Sequence, residues 1–264
     1  MQIPIDRRFG GIARLYGHGG VERFAAAHVA VIGIGGVGSW AVEALARSAL
    51  GALTLFDLDH IAESNVNRQL HALEGAFGKA KVVAMAQRVS AINPACRVTP
   101  VEAFVEADSL QPVIEGGFDY VMDCIDNFRV KAALIAACRR HRIPILTLGG
   151  AGGRTDPTLI RRGDLSRSEQ DPLLSKTRKL LRREYGFPGN PKRRFEVPCV
   201  YSLERLRYPG ADGAVCLDRP AAMEGSLNCG GFGSVMTVTA SFGLVAVSHV
   251  LAKLAASPDR SPAK

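Results

Sequence analysis

The six cysteines of this 264-residue chain, at 96, 124, 138, 199, 216 and 229, never fall two or three positions apart. Without a Cys-x-x-Cys pair there is no knuckle of the kind a structural zinc needs, so no zinc is expected and the thiols read as reduced. An apolar block near the N-terminus is also missing. MQIPIDRRFGG places charges before one could form, which is not how a secretory signal reads, and a cytoplasmic location is expected. Between Cys229 and Ala252 it is Lys, Arg, Asp and Glu that are absent, over a run long enough, at about 20 residues, to raise a membrane span. Glycines at 230, 231, 233 and 243, with Thr237, Thr239, Ser241 and Ser248, make the run less greasy than a lipid-facing helix. A long helix over 229–256, packed on the sheet or at a subunit interface, is expected instead, without stable membrane insertion.

What is present fits one compact α/β domain. Apolar residues make up 47% of the chain, enough for a sizeable core. An apolar run from His28 to Ile34 ends in glycines, helical spacing follows from Ser39 to Leu50, and a second apolar run closes at Asp57. The rhythm continues with a helix over 79–92 stopped by Asn93-Pro94, strands near 98–101 and 120–122, a helix over about 130–141 and a strand over 144–148. Such alternation predicts a Rossmann-like, doubly wound, mostly parallel sheet with helices on both faces, here over residues 1–153.

Residues 154–228 change character. Between Arg154 and Arg207 stand 14 Lys or Arg against 7 Asp or Glu, nearly all of the net charge of +8. That asymmetry suggests a polyanionic partner. One helix is clear, with Asp171 to cap it, Pro172 in its first turn and Gly186 to end it. Leu173, Leu174, Thr177, Leu180, Leu181 and Tyr185 share one side of it, and Arg178, Lys179, Arg182 and Arg183 fall largely on another.

Gly33, Gly35 and Gly38 satisfy G-x-G-x-x-G between a strand and a helix, with acidic Asp57 about 20 positions on. Glycines there let the backbone approach phosphate, and the helix N-terminus adds N–H donors and partial positive charge. They do not say which phosphate: alone they would favour NAD, and Asp57 could meet the ribose of either ligand. The stretch DLDHIAESNVNRQL then places Ser64, Asn65, Asn67 and Arg68 beyond the second strand, with Lys81 opening the next helix. Hydride transfer has little use for those two cations, whereas a triphosphate about to lose pyrophosphate needs them on its leaving group. In VMDCIDNFRVK, Asp126 stands at the carboxyl edge of a strand, placed to hold Mg²⁺ against phosphates. It could also cap the helix near Val130, which would explain only one of the two aspartates.

Taken together, Gly33-x-Gly35-Gly36-x-Gly38, Asp57-x-Asp59, Ser64-Asn65-x-Asn67-Arg68-Gln69, Lys81 and Cys124-x-Asp126-Asn127 resemble the adenylating domain shared by ubiquitin-activating enzymes and the bacterial ThiF/MoeB-like activators of sulfur-carrier proteins. The resemblance implies ATP as ligand, with Gly36 at the nucleotide, Asp57 on the ribose, Asn65, Arg68 and Lys81 on the phosphates and Asp126 orienting magnesium. Asp59, Ser64, Asn67 and Asn127 belong to the same implied set. It also implies a homodimer. Two features depart from the pattern. Gly11 stands where such enzymes carry an arginine that reaches the partner's ATP, leaving Arg8 or Arg14 to substitute, and the zinc-binding cysteine pairs are missing.

Further stretches, RFGGIARLYG, GGAGGRTDPT, QDPL, YPGADGAVC and GFGSVMTVTASFGLVAVSHVL, resemble the dehydratase family that cyclises threonylcarbamoyladenosine beside the tRNA anticodon. This implies adenylation of the threonyl carboxylate followed by intramolecular ring closure, which needs no external nucleophile. Cys199, Cys216 and Cys229 are then packing residues, although the family's association with a cysteine desulfurase system names a further partner. The basic residues Arg178, Lys179, Arg182, Arg183, Lys192, Arg193 and Arg194 are expected to grip the tRNA anticodon stem-loop. The competing expectations are an activator of a ubiquitin-like or sulfur-carrier protein and an NAD-binding oxidoreductase.

Overall fold

A computed structural model describes residues 5–210, 213–218 and 232–256; Cys229 lies outside them. In chain order the elements are α1 (Ile5–Arg8), α2 (Gly10–Ala26), β1 (His28–Ile32), α3 (Gly38–Ala46), β2 (Ala52–Phe56), α4 (Lys81–Ile92) and β3 (Arg97–Val101). Then follow α5 (Gln111–Ile114), β4 (Tyr120–Asp123), α6 (Phe128–Arg140), β5 (Ile145–Leu148), β6 (Ile160–Asp164), α7 (Pro172–Glu184), β7 (Pro198–Ser202), the short strands β8 (Tyr208–Pro209) and β9 (Val215–Cys216), and α8 (Met236–Ala255).

Seven strands form one sheet in the order β3-β2-β1-β4-β5-β7-β6. All neighbours run parallel except β6, which pairs antiparallel with β7 at the edge. The α/β doubly wound expectation holds. Successive residues of β1 explain how both faces are used: Val29 and Val31 join one core with Leu53, Leu55 and Phe242, while Ala30 and Ile32 join another with Val121, Leu134 and Leu174. A strand buried on both faces must be apolar throughout, which is why these strands read as continuous runs.

The basic segment does not stand apart from this sheet. It supplies β6 and β7, so residues beyond 153 complete the sheet begun by the first half. Spacing gives no sign of β6, whose sequence IRRGD carries exposed charges at an edge, nor of α2, which holds four glycines after its first and bends at Gly17 with φ 75°. The expected C-terminal helix begins at Met236. It is long and apolar enough to cross a membrane by length and composition, yet most of that apolar window is buried in the molecule. Phe242 and Val250 are fully buried, and a side chain at Gly243 would come within 2.7 Å of the Val37 carbonyl. That close approach seats α8 against α3.

The sheet order reverses between β1 and β4, because the chain leaves β1 for β2 and β3 on one side and returns to β4 on the other. Ligands of open α/β sheets bind outside the carboxyl ends of strands at such a point.

Candidate active site

At that point lies a cavity of about 340 Å³, walled by the carboxyl ends of β1, β2, β4 and β5 and by the loops that leave them. Gly33, Gly35 and Gly36 form one wall. Gly33 has φ +91°, and Gly38 packs so tightly that an added Cβ would sit 1.8 Å from the Gly33 carbonyl. Gly38 therefore lies behind the cavity, holding strand and helix together. A Cβ at Gly36 would meet Cγ of Arg68 at 3.1 Å, so this glycine makes room for the Arg68 side chain across the loop.

Arg68 and Lys81 both line the cavity, as do Asp57, Asp59, Asn65 and Asp126. The Arg68 guanidinium donates to the Ser64 carbonyl at 2.8 Å and to Asn67 Oδ1 at 2.9 Å. Its own carbonyl accepts from the indole of Trp40 at 3.0 Å, a support that spacing did not reveal. Lys81 is nearly buried, with Nζ 2.7 Å from Asp59 Oδ2. Asp57 accepts the Ile34 backbone N–H at 2.6 Å and the Asp59 N–H at 2.8 Å. Burial pushes its carboxyl above the usual aspartate range, against the pull of Lys81. Each oxygen keeps acceptor capacity for a sugar hydroxyl.

Besides Gly38, three of the expected nucleotide residues stand beside the cavity rather than in its wall. Ser64 carries the carbonyl that holds Arg68. Asn67 donates to the Ser234 carbonyl at 2.8 Å, tying this loop to the segment before α8. Asn127 caps α6, its Oδ1 accepting from the N–H groups of Arg129 and Val130 at 2.9 and 3.4 Å. The capping role weighed for Asp126 thus falls to its neighbour. Asp126 itself is exposed and has no protein partner among the described residues. An exposed carboxylate on the cavity wall without a cation of its own has the chemistry to hold a divalent ion. Among the described residues no three His, Cys, Asp or Glu side chains form a metal cage, so such an ion would be shared with ligand phosphates.

Behind the cavity floor, Lys131 Nζ lies 2.7 Å from Asp123 Oδ2 and 3.0 Å from Thr147 Oγ1, and all three side chains are fully buried. Asp123 Oδ1 accepts the Ile125 N–H at 3.1 Å. This set fixes the loop that presents Asp126. Its sequence signal was a lysine one turn into an otherwise apolar helix face. A second buried pair, Arg154 with Asp171 at 3.6 Å, joins the cavity to α7. Asp171 caps α7 through the Leu174 N–H at 2.9 Å and also accepts the Gly150 N–H at 3.0 Å. Exposed Phe104, after β3, and Phe232 complete the apolar wall, neither of them expected from sequence.

Among the described residues, Cys124 is the one thiol that lines the cavity. Burial pushes Cys124 up to about 12, and Cys199, fully buried, is also raised by burial. Cys216 donates to the Asp218 carbonyl at 3.3 Å.

The basic residues divide into two groups. Arg178 donates to the Ser168 carbonyl at 2.8 Å, and Arg182 donates to the Pro188 carbonyl and lies 5.2 Å from the centre of the Phe195 ring. Lys179, Arg183, Lys192, Arg193 and Arg194 are exposed. Arg8 binds the Ile92 carbonyl, Arg14 is exposed, and neither lines the cavity.

Comparison with known proteins agrees with this geometry. The ThiF family model matches residues 9–263. A tRNA threonylcarbamoyladenosine dehydratase of Escherichia coli (strain K12) is 51% identical over 257 residues, 96% of each chain. The crystal structure of an E. coli tRNA N6-threonylcarbamoyladenosine dehydratase in complex with ATP superposes with a TM-score of 0.84 at 48% identity, covering 94% of both chains. A molybdopterin-synthase adenylyltransferase of Salmonella typhimurium is 35% identical, over 52% of this chain and 54% of its own. With a family match that runs through both halves and a glycine-lined cavity at the sheet's switch point, the chain belongs to the ThiF family.

Proposed function

We propose that this protein is an ATP-dependent tRNA threonylcarbamoyladenosine dehydratase. The observation that carries the proposal is the convergence of Arg68, Lys81 and Asp126 on one glycine-walled cavity that is bolted, through Arg154 and Asp171, to a basic helix. A carrier-protein activator uses the first of these features and leaves the second without a purpose.

Carboxylate is a poor electrophile until one oxygen becomes part of a leaving group. An oxygen of the threonyl carboxylate attacks the α-phosphorus of ATP, and the bond to the bridging oxygen breaks as pyrophosphate departs. Arg68 and Lys81 neutralise the charge that builds on the leaving phosphates. Asp126 would hold a magnesium ion, which would supply further neutralisation of phosphate charge. A ureido atom of the same nucleoside then attacks the acyl carbon, AMP leaves and the proton of that atom is lost, so that the nucleoside is one water lighter. Because attacker and electrophile share one nucleoside, proximity replaces an external nucleophile. Exposed Lys179, Arg183, Lys192 and Arg193 grip the RNA phosphates. The protein acts in the cytoplasm as a homodimer, and a cysteine desulfurase system is a candidate partner.

Pyrophosphate exchange into ATP tests the proposal. Exchange that requires tRNA bearing threonylcarbamoyladenosine supports it. Exchange that instead requires a small carrier protein with a free C-terminal glycine rejects it.

A further inference from the structure

The edge of the sheet opposite the nucleotide cavity holds a second and larger cavity, of about 900 Å³. It lies at the amino ends of β4, β5 and β7, beside the last turns of α8, and its floor includes Tyr120 and Ile145, each 4% exposed. Arg139, Arg142, Arg162, Arg194 and Lys253 stand around it, together with Asp119, Asp164 and Glu196. Two of the three acids accept backbone N–H groups, and the third is matched by one of the five cations. Asp119 accepts the His28 N–H at 2.8 Å, Asp164 accepts the N–H groups of Ser166 and Phe195 at 2.9 and 3.0 Å, and Glu196 pairs with Arg139 at 3.2 Å. No acid forms an ion pair with Arg142, Arg162 or Arg194 among the described residues.

His249 lines the same wall and orients one of these guanidiniums. Its Nδ1 lies 2.9 Å from the Arg162 guanidinium. A guanidinium only donates, so Nδ1 accepts and the ring proton sits on Nε2. Burial, with the charges of Arg162 and Lys253, keeps the ring neutral by holding it down at about 4. Nε2 is buried and has no hydrogen-bond partner among the described residues. The cavity thus presents three guanidiniums without a carboxylate to answer them, one of them held in place by His249. Its complement is an anion with several oxygens, and the guanidinium fork matches phosphate in particular.

We propose that this cavity binds a phosphate group, and that the phosphate is a backbone phosphodiester of RNA. Arg194 closes the exposed Lys192-Arg193-Arg194 run, so the cavity continues the basic surface of the second half. The strands shared by the two cavities, β4 and β5, have four residues each and separate the two edges by roughly 13 Å, a distance that a tRNA arm spans easily. The RNA assignment rests on the proposed function; the phosphate assignment does not.

The test uses the full chain, saturated with ATP, and the variants Arg142→Asn and Arg142→Asn/Arg162→Gln. Asparagine suits the positive φ of Arg142, and the single variant, at an exposed position, guards against misfolding of the double one. Calorimetric titration with inorganic phosphate is paired with tRNA affinity measured from 50 to 200 mM salt. The expected result is loss of phosphate binding, a tRNA Kd raised about tenfold or more, and a log–log salt slope shallower by about two in the double variant. Lost phosphate binding with unchanged tRNA affinity keeps the site and assigns it to free phosphate, overturning the RNA source. Unchanged phosphate and tRNA binding overturns the proposal outright. Should the unaltered protein bind no tRNA at all, the proposed function fails, and the phosphate titration still decides the cavity.

Discussion

Asp126 and Lys81 occupy the same cavity under opposite constraints, the one exposed and without a protein partner, the other held at 2.7 Å from Asp59. Asp126→Ala is therefore expected to leave the melting temperature unchanged while lowering turnover by roughly 100-fold or more, the scale on which single groups stabilising transition-state charge act. Parallel melting and single-turnover measurements check both halves. His71 gives a pH prediction. Burial, followed by the charge of Lys81, lowers it from 6.5 to about 4, and its Nε2 lies 3.0 Å from Gln69 Oε1. The unfolded chain takes up the proton first, so the stabilising effect is complete above about 6.5 and is lost as pH falls toward 4. The loss from this residue is on the order of 3 kcal/mol. Urea midpoints at pH 7 and pH 5 should differ, and the difference should shrink in His71→Gln. At this scale the meeting of Gly33, Gly35, Gly36, Arg68, Lys81 and Asp126 at one cavity was legible, because all follow strands whose carboxyl ends share one edge of the sheet. The protein partners of Asn127, Arg178 and Arg182 were not, since the same side chain can serve a ligand, a helix end or a carbonyl.

Among the elements, β4 and α6 are joined by the buried Lys131–Asp123 pair. Replacing Lys131 by Met leaves an uncompensated buried carboxylate, and a loss of about 3–5 kcal/mol is expected in denaturant unfolding. The paired change Asp123→Asn/Lys131→Met should recover part of it. Helix α7 has a structural side and an outward side. Lys179→Glu/Arg183→Glu is expected to weaken tRNA binding and to make its salt dependence shallower by about two, with ATP affinity unchanged. Arg178→Ser should instead lower the melting temperature, because Arg178 holds the Ser168 carbonyl. Strands β1, β2, β4 and β5 and the helices α3, α4, α6 and α7 were legible from sequence, since two-sided burial demands apolar runs and a single buried stripe demands helical spacing. Strand β6 was not, because one face of an edge strand meets water and its arginines hide the period. Helix α2 was not, because its glycines weaken the pattern that packing against α8 sustains.

Across the whole molecule, the sheet places chemistry at one edge and a guanidinium-lined cavity at the other, while the second half closes the nucleotide cavity and carries the exposed cations. The charge asymmetry visible in composition thus acquires a position: Gly149 and Gly150 of the cavity wall meet Asp171 at the cap of α7. Composition could supply the sign of that surface but not its separation into structural and exposed arginines. The proposed reaction uses ATP to remove water from a nucleoside within tRNA. Its most direct test is mass spectrometry of nucleosides digested from tRNA bearing threonylcarbamoyladenosine, after incubation with the protein, ATP and Mg²⁺. A loss of one water from that nucleoside, requiring ATP and absent with Asp126→Ala, is the predicted result. An unchanged nucleoside mass, with ATP bound and the tRNA intact, would contradict it.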